Sequence, residues 1–113
     1  MGLEIIKCRQ GYVKCNVVIL DDTHIITEDI GIAKSLEETE IDCLLIESGY
    51  VKLKGFSYGF IGGASGKLGE TIIFNGDLSS HPDFEKIKTF IESLGLRLWY
   101  TKSYPLEDIG SII

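Results

Sequence analysis

Residues 60–76 read FIGGASGKLGETIIFNG, and the element after the glycines decides the fold. A helix there would make Gly62, Gly63 and Gly66 a phosphate cradle at its N-terminus. A Walker loop needs GxxxxGK and then Ser or Thr, so that a hydroxyl reaches the metal. Here Gly66-Lys67 is followed by Leu68, and Ile61 stands where the first glycine belongs. A dinucleotide loop joins a strand to a helix, whereas ETIIFNG at 70–76 has the β-branched and aromatic content of a strand. The glycine spacing is also one residue too long for that motif. The stretch is therefore read as a loop between two strands, with Gly62, Gly63 and Gly66 supplying positive φ angles and close backbone approach. Such a loop offers backbone N–H groups to a ligand, so Gly62, Gly63, Ala64, Ser65 and Gly66 are the leading binding residues.

Outward from this loop the chain repeats itself. YGFIGG (58–63) and ETIIFNG (70–76) read as two strands, and Ser80 begins a helix with capping-box spacing to Asp83. Phe84, Ile87, Phe90, Ile91 and Leu94 form one apolar stripe, Gly95 stops the helix, and LRLWYT (96–101) is a closing strand. Upstream, LEIIKC (3–8) is a short strand, with CNVVIL (15–20) and HIIT (24–27) next as a strand pair. Thr27 or Asp29 caps a helix with Ile30, Ala33 and Leu36 at helical spacing, and IDCLLIE (41–47) is a strand apolar enough to be buried on both faces. The order strand, strand, helix, strand occurs twice, which predicts an α+β fold of tandem ββαβ modules within a single domain, 1–113. Module one spans about 12–53, module two about 56–104, and a C-terminal tail covers 105–113. The tail ends on bare isoleucines, and an apolar end implies a covering element at an interface or a missing continuation.

At 113 residues the chain holds one compact domain, with 44% hydrophobic and 25% charged residues, so disorder is not expected. Its net charge of −6, with no basic run, argues against a nucleic-acid partner. No apolar window approaches the roughly 18 residues of a membrane span, and residues 1–20 lack a secretory signal, so a cytoplasmic location and no membrane partner are expected. Cys8, Cys15 and Cys43 form no CxxC pair and have no histidines at ligand spacing. Reduced structural thiols, no metal and no cofactor are the expectation.

The stretches QGYVKCNVVILDDTHIITEDIGIAKSLEE, DCLLIESGYVKLKGFSYGFIGGASG, FNGDLSSHPDFEKIK and PLEDIGSII resemble an uncharacterised bacterial family assigned to the guanidino-group-modifying enzyme, or pentein (β/α-propeller), fold. The resemblance runs from about residue 10 to the end and corresponds to the C-terminal half of longer relatives. It implies a ring of ββαβ modules, five when complete. Two modules do not close a ring, so the chain is either a short member that assembles with itself or a fragment whose open edges need covering. A homo-oligomer, or a partner protein that completes the ring, is implied by either case.

Catalytic members of that superfamily use a late cysteine nucleophile behind a glycine-rich strand end, a histidine acid/base, and carboxylates that grip a guanidinium in bidentate fashion. This sequence departs from the pattern, because Ala64 and Ser65 come after the glycines and no cysteine occurs after Cys43. The resemblance thus implies a non-catalytic ligand-binding or protein-interaction module, with a small cationic guanidino compound as the ligand class. The alternative is a hydrolase on a guanidino or amidine compound whose site is completed by oligomerisation or by a missing half. Under that alternative His81 is the acid/base candidate and Ser65 a replacement nucleophile, although no His and Asp are visibly placed to activate Ser65. His81 is otherwise a residue of the first helical turn, with a pKa lowered if anything, and His24 is a surface residue of a hairpin. Asp77 and Asp108 are the carboxylates to be tested for guanidinium binding, with turn-forming roles as the competing reading.

Overall fold

The computed structural model describes residues 17–56 and 58–109. The expected strand at 3–8, the first residues of the 15–20 run, Cys8, Cys15 and the terminal Ile112 and Ile113 lie outside the described residues.

Two three-stranded sheets are built on one plan. The elements are β1 (Val17–Asp21), β2 (His24–Thr27), α1 (Ile30–Ser35), β3 (Asp42–Leu45), β4 (Ser65–Leu68), β5 (Thr71–Phe74), α2 (Phe84–Ser93) and β6 (Arg97–Trp99). In the first sheet β1 runs antiparallel to β2 and β2 parallel to β3; in the second, β4, β5 and β6 repeat that arrangement. The parallel pairs need a crossover, which each helix supplies. The protein is thus a small α+β structure in which strand, strand, helix, strand occurs twice.

The apolar run VVIL carries no alternation because β1 feeds two cores. Val17 and Ile25 pack with Ile32, Leu36 and Ile41 beneath α1. Val18, Leu20 and Ile26 join Ile72, Phe74, Ile87 and Ile91 from the second half in a core shared by both halves. At ten residues α2 is shorter than the ~12–15 at which isolated helices become marginal in water. Burial of Ile87 and Ile91, each worth about 1.5–3 kcal/mol, is what holds it. In α1 the cap is Asp29, whose Oδ1 accepts the Ile32 N–H at 3.1 Å.

The tail is built into the fold. Lys52 N–H donates to the Leu106 carbonyl at 2.8 Å, Asp108 N–H to the Lys52 carbonyl at 2.7 Å, and Glu107 N–H to the Asn75 carbonyl at 2.9 Å. Leu106 is buried in the shared core. Gly76 makes this possible: its φ is +129°, and a Cβ there would lie 2.3 Å from the Pro105 carbonyl oxygen. The tail is thus tied to its own chain through Asp108, with Leu106 buried and Ile109 58% exposed.

Four local expectations are corrected. Residues 41–47 do not form a strand buried on both faces: β3 is a four-residue edge strand, and Leu45 is exposed. Residues 58–63 are not a strand; β4 begins at Ser65, after a short 3₁₀ turn over Ile61–Ala64. Gly62, Gly63 and Gly66 do not take positive φ, and the left-handed glycine of this hairpin is Gly69 at its tip. Ser80 does not begin α2. It closes a 3₁₀ turn over Leu78–Ser80, its hydroxyl donates to the Asp77 carbonyl, and no capping box forms with Asp83.

Candidate functional site

The 3₁₀ turn at 61–64 owes its shape to two carboxylates from distant parts of the chain. Asp108 arrives on the tail and Glu28 from the end of β2. Asp108 Oδ2 accepts the N–H of Phe60 at 3.0 Å, and Glu28 Oε1 accepts the N–H of Ile61. Side-chain oxygens therefore take two consecutive amides that a neighbouring strand would otherwise bind. Main-chain partners secure the flanks, with Gly59 N–H on the Val51 carbonyl, Ile109 N–H on the Gly63 carbonyl and Asn75 N–H on the Ala64 carbonyl.

Glycine is required here for close approach rather than for φ. A Cβ on Gly63 would stand 1.8 Å from Asp108 Oδ1, and one on Gly59 would stand 2.6 Å from Asp108 Cβ. The buried Asp108 carboxylate thus lies directly on the backbone of the turn. Of the residues that sequence singles out, Gly62, Gly63, Ala64 and Asp108 are brought together around this turn; Ser65 and Gly66 open β4, where Gly66 pairs with Ile73. Ala64 is part of the shared core.

Glu28 is the site residue that sequence reasoning misses. Burial pushes its carboxyl up to about 7; the Ile61 amide opposes the rise and the Asp108 charge adds to it. A carboxyl poised near neutrality beside a second carboxylate can accept a cation or hold a proton. Its only signal in the sequence is an acid directly after a buried strand, and the adjacent capping residues Thr27 and Asp29 conceal it.

The remaining candidates have structural tasks. Asp77 Oδ1 accepts the Ser79 N–H at 3.0 Å and caps the 78–80 turn. Ser65 is buried, and its hydroxyl donates to the Gly62 carbonyl at 3.2 Å. His81 is buried with both ring nitrogens engaged. Nδ1 accepts the Asp83 N–H at 2.9 Å, so the proton resides on Nε2, which donates to the Glu47 carbonyl at 3.0 Å. Asp83 Oδ2 in turn accepts the Glu47 N–H at 2.8 Å, so the start of α2 clamps the Glu47 residue at both its backbone groups. Tyr50 packs against the imidazole with ring centroids 5.2 Å apart and planes tilted by 58°. Burial holds the His81 pKa down, against the opposing pull of the Glu47 carbonyl and the Asp83 and Glu47 charges. The direction agrees with the sequence reading, with desolvation as the leading cause, but His81 lies ahead of α2 rather than in its first turn.

Cys43 is half-buried, and burial together with the neighbouring Asp42 pushes its thiol up to about 11, so it is protonated at neutral pH. His24 is not a plain surface residue: its Nδ1 lies 2.8 Å from Asp21 Oδ1 and its ring 5.9 Å from that of Phe90. Among the described residues no group of three or more His, Cys, Asp and Glu could hold a metal ion, and no helix is long and apolar enough to cross a membrane.

The chain belongs to DUF6873, a family of unknown function whose model matches residues 1–113. No curated protein and no solved structure matches it.

Proposed function

We propose that this member of the family is a non-catalytic, pentein-like binding module that takes a small cationic ligand of the guanidino class at Glu28 and Asp108. One observation carries the reading: the two carboxylates are anchored on the consecutive amides of Ile61 and Phe60. Two acids held side by side on backbone repel one another, and a planar cation between them would relieve that repulsion by pairing with the oxygens the amides leave over. Glycines at 59 and 63 keep the backbone free of side chains where the Asp108 carboxylate lies. The non-catalytic half of the proposal is supported by how the reactive groups are engaged. The Ser65 hydroxyl serves Gly62, the Cys43 thiol is held protonated, and the His81 imidazole has both nitrogens bonded to backbone.

The test is a calorimetric titration of the chain with arginine and with guanidinium chloride, run beside an assay for ammonia and ureido product. Saturable binding that weakens at least about tenfold in Asp108→Asn is expected, because a charged hydrogen-bonding partner contributes about 1.5–3 kcal/mol. No ureido product should form. Wild-type protein that binds neither compound would remove the cationic-ligand reading, and turnover abolished by His81→Ala would replace it with the hydrolase.

A further inference from the structure

The two halves share a register that goes deeper than element order. Ile25 pairs with Cys43 as Ile72 pairs with Leu98. The spacing Ile32, Leu36, Ile41, Cys43 recurs as Ile87, Ile91, Leu96, Leu98, and in each half these residues lie between a helix and its own sheet. Every residue of the first half from α1 through β3 therefore has a counterpart in the second.

That correspondence exposes one unequal feature. The other face of the first sheet, with Val18, Ile26 and Leu44, is covered from the second half. It shares a core with Ile87 and Ile91, the Phe90 ring stands 5.9 Å from His24, and Leu44 faces Glu85, Lys86, Thr89 and Ser93 across a shallow groove. The corresponding face of the second sheet carries Ile73 and Trp99, with Leu68 and Arg97 in the adjoining row. Among the described residues nothing buries it: Leu68 is 67% and Trp99 53% exposed. The layers run α1, first sheet, α2, second sheet, open face.

We infer that this open face docks the first half of a second copy of the chain, with the incoming α1 lying on the second sheet as α2 lies on the first. The interface inside the molecule is the template, and the outer side of α1 has the chemistry to reproduce it. The positions that correspond to Glu85, Lys86, Thr89, Phe90 and Ser93 are Ile30, Gly31, Lys34 and Ser35 on α1 and Glu38 in the turn after it, all exposed. Ile30, 68% exposed, presents an unpartnered apolar side chain, and Gly31 beside it lets the backbone come close. Glu38 takes the place of Ser93, which faces Leu44; it would arrive at Trp99 on β6, the strand that carries Arg97. The outer side of α1 and the open face lie at opposite ends of the layer order, so one chain does not bring them together and a second can. The contact is heterologous, head to tail, and propagates until it closes on itself.

The experiment is sedimentation velocity across the micromolar range, with fluorescence from Trp99, the single tryptophan, followed in parallel. The wild-type chain should associate as concentration rises, and its emission should shift to the blue as Trp99 is buried. Leu68→Glu on the open face and Ile30→Glu on α1 should each weaken association at least about tenfold, the effect of losing a contact worth about 1.4 kcal/mol or more. Both positions are exposed, so neither change disturbs the core. An equimolar mixture of the two variants retains one intact pair of faces and should form a 1:1 dimer that neither variant forms alone. A wild-type chain that stays monomeric throughout overturns the inference, whether Trp99 emits as an exposed or as a buried indole. Variants that associate as well as the wild type, or a mixture that gains nothing, overturn it as well.

Discussion

Glu28 and Asp108 lie eighty residues apart in the chain, yet their carboxylates accept hydrogen bonds from neighbouring amides, Ile61 and Phe60. The negative charge of Asp108 is one of the influences that keep the Glu28 carboxyl protonated toward neutral pH. The relationship ties the end of β2, the glycine turn and the tail into one unit, and it makes that unit sensitive to pH.

The pH dependence has a definite sign. Glu28 titrates at about 7 in the folded protein, against 4.5 for an ordinary glutamate. Between those values the folded state holds a proton that the unfolded state has released, so stability falls as pH rises through the window. Glu28→Gln keeps an acceptor for the Ile61 amide and carries no charge at any pH. Its urea midpoint should lack the Glu28-linked decline between pH 5 and pH 7.5 and should exceed that of the wild type at pH 7.5. Parallel curves for the two proteins would show that Glu28 titrates normally.

Gly63→Ala places a methyl group 1.8 Å from Asp108 Oδ1, and the carboxylate, seated on backbone, must move. The expected loss is about 1–3 kcal/mol, the usual cost of overpacking. Shortening Asp108 to Ala should recover part of that loss, because the two changes share one cause and cannot be additive. A double-mutant cycle by urea denaturation measures it; strict additivity would mean that the methyl group and the carboxylate never meet.

Gly76→Ala combines two penalties, a φ of +129° and an approach of 2.3 Å to the Pro105 carbonyl oxygen. Neither atom set can yield cheaply, since both belong to backbone. Strain and overpacking together should cost at least about 2 kcal/mol. The tail should also loosen, which hydrogen exchange at the Glu107 and Asp108 amides would report as faster opening. Protected amides in a destabilised variant would place the damage elsewhere.

The range of the forces involved separates the features that are legible in the sequence from those that are hidden in it. The doubled strand, strand, helix, strand order is legible because the run VVIL and the stripe Ile87, Phe90, Ile91 and Leu94 are local patterns imposed by burial. Asp108 stands out because it is an acid set between the apolar Leu106 and Ile109. Glu28 does not, since its role arises only where it meets Ile61, thirty-three residues along the chain. The turn at 61–64 escapes sequence reasoning for the same reason: distant carboxylates set its conformation, and glycine content alone suggests left-handed φ. Ser80 and Asp83 have the spacing of a capping box, but Asp83 binds Glu47 instead, a partner no local rule supplies.

His81 should respond to acid in the opposite sense to Glu28. Burial lowers its pKa below the usual 6.5, so below about that pH the unfolded chain takes up a proton that the folded imidazole resists. Stability from this group is therefore present at neutral pH and lost as pH falls through the ordinary histidine range. In the wild type that loss is partly masked, because Glu28 stabilises the fold over the same acid window. In Glu28→Gln the mask is removed, and its stability should drop visibly between pH 7 and pH 5. Adding His81→Gln should flatten that slope and lower stability at pH 7 by about 0.5–1.5 kcal/mol, since the Glu47 carbonyl or the Asp83 amide loses its partner. Urea titrations of the single and double variants at the two pH values separate the effects. If the acid slope of Glu28→Gln survives the loss of His81, the slope belongs to another group and the clamp on Glu47 is not pH-linked.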